Sequence, residues 1–204
     1  MNFPIKTDPE FKHFVLFLIL TAVVLFFCQL FSAQLEYQRF LILDGEYWRL
    51  VTGHFTHFGW RHLMMNGLGF GMIVWLFGTL HSVLYWVIGS LLCVFSISLG
   101  FLFFVPELHG YVGLSGLLHG LLVMGLIGEL RGGNWRYSVV LLLIIAKLVA
   151  EIATPFSQNM DEFIGGRVVT EAHLYGALSG GVIALLAIPL NDLWARRFQG
   201  AGIG

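Results

Sequence analysis

Long apolar stretches separated by shorter polar connections run along almost the whole chain. They lie near residues 14–31, 62–80, 83–104, 115–130, 137–155 and 171–190. Crossing the hydrocarbon core of a membrane takes about 20 mainly apolar residues, and each stretch has or approaches that length. The pattern predicts an all-α membrane protein with six transmembrane helices in one bundle.

Two connections are longer than the rest, at about 34–61 and about 156–170. Neither resembles a separate soluble domain and no internal repeat is present, so we predict a single domain over residues 1–204. The first connection carries Tyr47, Trp48 and Trp60 beside arginines, and such side chains favour the headgroup layer. We predict that it lies on the membrane surface and that the second connection is an outer loop.

The composition agrees with burial in lipid. Hydrophobic residues make up 57% of the chain and charged residues 11%, whereas a soluble domain carries about 25% charged residues. The net charge is -1 without a block of like charge, which excludes a nucleic-acid partner. Cys28 and Cys93 fall in different apolar stretches and do not suggest a disulfide.

The distribution of Lys and Arg predicts the orientation. Six spans put both termini on one side, together with Lys6, Lys12, Arg131, Arg136, Arg196 and Arg197. Four arginines lie opposite, at positions 39, 49, 61 and 167. Because cytoplasmic connections carry the excess of positive charge, we predict cytoplasmic termini. The second, fourth and sixth helices then begin on the outer side.

A first polar cluster lies at the start of the second stretch. His62 and Asn66 are four residues apart, so they share one helix face. Two hydrogen-bond donors on one face can hold a developing oxyanion. A polar contact between packed helices accounts for the pair equally well.

A second cluster surrounds Ser115, where a turn containing Gly113 becomes the fourth helix. The backbone N–H groups at a helix start favour a negative intermediate, although a serine there is more often an N-cap. A helix over 115–130 rises about 24 Å, less than the roughly 30 Å hydrocarbon core. Ser115 is then sunk below the outer surface, which a capping serine does not require.

A third cluster begins the sixth stretch. His173 shares its helix face with Gly176, Ala177 and Gly180. Together with Gly116 and Gly120, these small residues predict close packing of the fourth and sixth helices. The His173 imidazole would then reach the Ser115 hydroxyl and take its proton. A histidine used only for packing is the alternative.

These clusters, with Trp48, Arg49 and His57, give residues 47–181 a pattern that resembles the rhomboid family of intramembrane serine proteases. The resemblance implies an enzyme without metal or cofactor that cleaves transmembrane proteins. It assigns Ser115 as the nucleophile, His173 as the general base, and His62, Asn66 and Ser115 as the oxyanion hole. It implies supporting roles for Gly113, Gly116, Gly176 and Gly180.

The segment Gly-Leu-Ser-Gly-Leu-Leu-His-Gly at 113–120 is similar to the rhombosortase branch. That likeness implies removal of C-terminal sorting tails, which have a glycine-rich junction and a tail helix, from exported bacterial proteins. It also implies an inner-membrane location, with the active site opening outward beneath the 156–170 loop. The alternative is a general rhomboid protease of other single-span substrates.

His119 stands where many rhomboids carry a tyrosine four residues after the serine. It lies one helical turn from Ser115, near any ring that approaches the serine from the sixth helix. We predict that it supports the His173 ring; the alternative is a second proton carrier.

No acidic residue is obviously placed to orient His173. Glu171 is two residues away and points to another helix face, so we predict a Ser–His dyad without an acid. Lys147 and Glu151 are four residues apart within the fifth stretch. We interpret them as a neutralising pair that faces the bundle; the alternative is a functional role, because charges inside a membrane mark functional sites.

Two other classes of function fit parts of the chain. Eight histidines would suit a metal transporter or metalloprotease, but the zincin spacing His-Glu-x-x-His is absent and no acid lies among the outer histidines. An inactive rhomboid-like protein that binds helices without cutting is also conceivable. The presence of both Ser115 and His173 argues against it.

Overall fold

Helices account for nearly all the regular structure of the computed structural model, which describes residues 9–154 and 158–199. These residues form the helices α1 (Pro9–Leu30), α2 (Ser32–Leu35), α3 (Arg39–Leu43), α4 (Arg49–Thr52), α5 (Trp60–Phe77), α6 (Val83–Phe104), α7 (Ser115–Arg131), α8 (Tyr137–Ala153), α9 (Gln158–Ile164) and α10 (Thr170–Gln199). A 3₁₀ turn covers Gly53–Phe55, and the two-residue strands are β1 (Tyr37–Gln38) and β2 (Gly110–Tyr111). The predicted all-α fold is confirmed.

Each long helix follows one of the apolar stretches. By length and apolar composition, α6 is the one helix within the described residues that qualifies as a membrane span. Val15–Leu30 is a shorter apolar helix, and α7 and α8 have 17 residues each. That the chain has six transmembrane helices therefore stays a prediction.

The connection at 34–61 contains short helices where the sequence suggested a loop. Arg49 is buried and donates to the Glu46 carboxylate at 2.6 Å and to the Glu36 carbonyl at 2.7 Å. Arg39 donates to the carbonyls of Phe101 and Leu102 at the end of α6. Arg49 therefore joins two parts of the connection to each other. Arg39 holds the connection against α6, because it satisfies carbonyls left free where that helix ends.

The same connection is joined to the segment that precedes α7. Strand β1 pairs antiparallel with β2, with Tyr37 opposite Tyr111 and Gln38 opposite Gly110. Tyr37 is fully buried and its ring packs edge-on against Phe101. The start of α7 is thereby held in a fixed position relative to α4 and α6.

Helix α7 lies at the centre of the bundle, against α5, α6, α8 and most extensively α10. Met124 and Leu126 are fully buried there, as a central helix requires. Glycines bring α7 and α10 together: a Cβ on Gly176 would overlap the Gly116 carbonyl, and a Cβ on Gly180 would overlap that of Gly120. The small-residue stripe thus lets the two backbones touch.

We expect Gly176→Ala to destabilise the protein, because a methyl group there forces α7 and α10 apart. Overpacking of this kind costs about 1–3 kcal/mol. Gly181→Ala is the matched control, since its Cβ would lie 3.7 Å from Val123, an ordinary contact. Thermal unfolding of the purified variants, followed by circular dichroism, should show a lower midpoint for Gly176→Ala alone. Equal midpoints would contradict the packing interpretation.

Candidate active site

A turn that is held by hydrogen bonds precedes Ser115, the first residue of α7. Gly113 has a φ of 127°, a conformation that favours glycine, and a Cβ there would lie 2.9 Å from the His62 ring. The Tyr111 hydroxyl donates to the Gly113 carbonyl at 2.6 Å, and the Gly113 N–H donates to the Gly53 carbonyl at 3.2 Å. The turn therefore requires glycine and is fixed from both sides.

Ser115 and His173 meet where α7 and α10 approach each other. The distance from His173 Nε2 to Ser115 Oγ is 3.0 Å, and the His173 side chain is buried. A serine hydroxyl becomes an effective nucleophile when an imidazole at this distance accepts its proton. The structure brings together the two residues that the sequence proposed as nucleophile and base.

An acidic residue contacts the other side of the His173 ring, and the prediction of a dyad without an acid is corrected in this respect. The two carboxylate oxygens of Glu151 lie 3.0 and 3.1 Å from His173 Nδ1. Glu151 belongs to α8, so only the packing of α8 against α10 produces this contact. The sequence feature that could have indicated this contact is the position of Glu151, an acidic residue inside an apolar stretch.

Lys147 joins the same cluster, so it and Glu151 are more than the neutralising pair predicted. Its ammonium group lies 2.7 Å from Glu151 Oε1 and 3.0 Å from His119 Nε2. His119 Nδ1 in turn lies 2.8 Å from the carbonyl oxygen of Ser115. Side chains of α7, α8 and α10 thus form a closed polar network around the serine.

The ring of His119 stacks on the ring of His173. The ring centres are 4.2 Å apart and the planes are inclined by 20°. This is the contact that the predicted supporting role requires. Whether His119 affects the reaction stays a prediction.

His62 and Asn66 lie beside the Gly113 turn, and both are buried. Neither His62 Nδ1 nor Asn66 Nδ2 has a hydrogen-bond partner among the described residues. Unpartnered buried donors are uncommon and call for an explanation, such as a group that binds there during function. His62 lines the cavity described below, and Asn66 Nδ2 would lie 3.8 Å from a Cβ on Gly113.

Two further histidines near the site are buried. The Nε2 atom of His54 lies 2.9 Å from Ser98 Oγ. Burial lowers the pKa of His54 to about 3. Burial also lowers the pKa of His57 to about 3, with the nearby His62 adding to the effect. Both imidazoles are therefore neutral near neutral pH.

A cavity of about 210 Å³ opens onto the polar network. Its walls include Ser115, His119, Lys147, Glu151 and His173, together with Met160, Ile164 and Arg167 from α9 and the loop after it. That loop is held at Asp161, whose carboxylate accepts from the Val168 N–H at 2.8 Å. The described part of the predicted outer loop thus contributes to the cavity, while residues 155–157 lie outside the described residues. Within the described residues, no three His, Cys, Asp or Glu side chains form a group that would hold a metal.

One comparison with known proteins identifies the family of this chain. A family model described as Rhomboid domain matches residues 44–190, which is most of the chain and includes every residue of the polar network. No curated protein matches the sequence.

Proposed function

Because the chain belongs to the rhomboid family of membrane-embedded serine proteases, we propose that it cleaves transmembrane proteins with Ser115 as nucleophile and His173 as general base. The observation that carries this proposal is the 3.0 Å contact between Ser115 Oγ and His173 Nε2.

The geometry supports acyl transfer in two steps. As Ser115 Oγ attacks the scissile carbonyl carbon, His173 Nε2 accepts the hydroxyl proton and a tetrahedral oxyanion forms. The imidazolium then gives the proton to the departing amine, and the C–N bond breaks to leave an ester on Ser115. A water molecule, deprotonated by His173, hydrolyses that ester and releases the new carboxyl terminus.

The oxyanion of this reaction needs donors, and we assign them to the backbone N–H of Ser115 and the side chains of His62 and Asn66. The Ser115 N–H lies in the first turn of α7, where N–H groups are left free by the helix. The unpartnered nitrogens of His62 and Asn66 support the assignment. A buried donor of this kind interacts more strongly with a charge than it would in water.

We propose that α1, α5, α6, α7, α8 and α10 are the six membrane spans, with both termini in the cytoplasm. Apolar side chains on the outside of the bundle support this: Leu142, Leu143 and Val149 of α8 are 63%, 64% and 59% exposed. Soluble proteins rarely leave such an apolar surface uncovered. The 17 residues of α7 rise about 26 Å, so Ser115 lies below the outer surface of a roughly 30 Å hydrocarbon core.

For the substrate we propose exported bacterial proteins with C-terminal tail helices, cut at a glycine-rich junction at the inner membrane. The rhombosortase-like segment 113–120 supports this choice. The chemistry is also suitable, because each glycine weakens a helix by about 1 kcal/mol and so eases exposure of the scissile carbonyl. A glycine also requires little room in a cavity of about 210 Å³.

Co-expression with a tailed reporter tests the function. We expect mass spectrometry to find a new C-terminus within the glycine-rich junction, and none when the co-expressed variant is Ser115→Ala. Ser179→Ala is the matched control, because Ser179 lies on α10 and donates to the Gly176 carbonyl, away from the cavity. Cleavage that persists with Ser115→Ala would contradict the proposal.

The same experiment separates the alternatives. A general rhomboid protease would cut single-span reporters without a glycine-rich junction as well as tailed ones. A helix-binding protein without activity would retain the reporter uncut, and a metalloprotease would lose its activity with a chelator instead of with Ser115→Ala.

A further inference from the structure

The hydrogen bonds around His173 determine which of its nitrogens carries a proton. A carboxylate oxygen only accepts hydrogen bonds, so the contacts of 3.0 and 3.1 Å from Nδ1 to Glu151 require Nδ1–H. In the neutral ring Nε2 is then unprotonated and accepts from Ser115 Oγ at 3.0 Å. This is the tautomer in which His173 can take the serine proton.

Lys147 fixes the orientation of the carboxylate. Its ammonium group donates to Glu151 Oε1 at 2.7 Å and to His119 Nε2 at 3.0 Å. Since an ammonium group only donates, His119 Nε2 must accept and His119 Nδ1–H donates to the Ser115 carbonyl at 2.8 Å. The protonation states of His173, His119, Glu151 and Lys147 are therefore mutually consistent around the whole network.

We propose that Glu151 is a positioning residue that holds His173 in its Nδ1–H tautomer, so that the site operates as a Ser–His–Glu arrangement in which Lys147 orients the acid. The inference rests on the proposed protease function. Glu151 lines the cavity, but its carboxylate bonds Lys147 and His173 and not the Ser115 hydroxyl. It acts through the His173 ring, and it also stabilises the imidazolium that forms when the serine loses its proton.

Replacing Glu151 with glutamine distinguishes this role from packing. In Glu151→Gln the Lys147 ammonium selects the amide oxygen at the Oε1 position, which places the NH₂ group at the Oε2 position, 3.0 Å from His173 Nδ1. That NH₂ group only donates, so it opposes Nδ1–H, and the remaining acceptor oxygen, 3.1 Å from Nδ1, is shared with Lys147. The neutral amide also no longer stabilises the imidazolium, although the side chain has almost the same shape.

The expected results follow from the lost charge and from the donor placed at the Oε2 position. Glu151→Gln and Glu151→Ala should each lower kcat on the order of 100- to 1000-fold with little change in KM. Glu151→Asp keeps a carboxylate and should retain more activity than either. In Glu151→Gln with Lys147→Ala the amide oxygen is no longer shared with Lys147 and is free to accept from Nδ1–H alone, so this double variant should recover part of the lost activity.

Purified variants are compared by cleavage of the tailed reporter and by labelling of Ser115 with a fluorophosphonate. Glu129→Gln is the matched control, since Glu129 bonds Asn134 at the other end of α7. A Glu151→Gln enzyme that is as active as wild type would overturn the positioning role. A failure of the proposed function looks different, because wild type would then be inactive and unlabelled.

Reduced folding of the Glu151 variants would not obscure the result. Thermal midpoints are measured in parallel, and the comparison of Glu151→Gln with its Lys147→Ala double variant is made at equal folded fraction. Recovery in the double variant supports the proposal, because removal of a second side chain cannot restore packing. A further loss in the double variant would overturn it.

Discussion

Ser115→Ala and His173→Ala should each lower turnover on the order of 10⁶-fold, and the double variant should lose no more than either single variant. The two side chains share one hydrogen bond of 3.0 Å, and residues that act as a unit show such non-additive losses. Reporter cleavage by purified enzyme, with single-turnover kinetics for the slow variants, measures the rates. Fluorophosphonate labelling should disappear with Ser115→Ala.

Two controls make this result specific. Ser179→Ala removes a hydroxyl from α10 at a distance from the cavity and should leave cleavage and labelling unchanged. The thermal midpoint of Ser115→Ala should stay close to that of wild type. His173→Ala removes a buried ring that stacks on His119, so its activity is compared at equal folded fraction. Additive, partial losses would show that the two residues do not act together.

Asn66→Ala should reduce kcat on the order of 10- to 1000-fold while KM changes little. Asn66 is buried with an unpartnered Nδ2, and a donor that binds the oxyanion contributes in the transition state more than in the bound substrate. Steady-state kinetics on the reporter separates kcat from KM. Removal of a donor that is used only for ground-state binding would instead raise KM at constant kcat.

The matched control for this substitution is Asn134→Ala. Asn134 is also an asparagine, but it is exposed after the end of α7 and donates to the Glu129 carboxylate at 3.0 Å. Asn134→Ala should have no effect on turnover. If Asn66→Ala kept full turnover, the pair of His62 and Asn66 would be a packing contact between helices.

The polar network has consequences for how the site could change in design. Lys147, Glu151 and His119 each contribute to more than one hydrogen bond of the network. Replacing Glu151 with an apolar residue therefore leaves Nδ1 of the buried His173 without its partner, which is costly.

The sequence by itself predicted the long helices and proposed Ser115 and His173 as nucleophile and base. Apolar runs are local signals, and the structure places α6 at Val83–Phe104 and begins α7 at Ser115, as those runs predicted. The glycines at 116, 176 and 180 are also a local signal, because a helix face without side chains permits close approach wherever it lies. These signals predicted the contact of Ser115 with His173 that the structure contains.

Only the tertiary structure decided what surrounds His173. Glu151 is 22 residues away on another helix, and its i, i+4 spacing to Lys147 already accounts for both charges as a local pair. No periodicity relates α8 to α10, so the acid was assigned to neutralising Lys147 alone. The short helices of 34–61 escaped prediction for the same reason: Arg39 bonds carbonyls at the end of α6, and contacts between distant residues leave no pattern in the sequence around either partner.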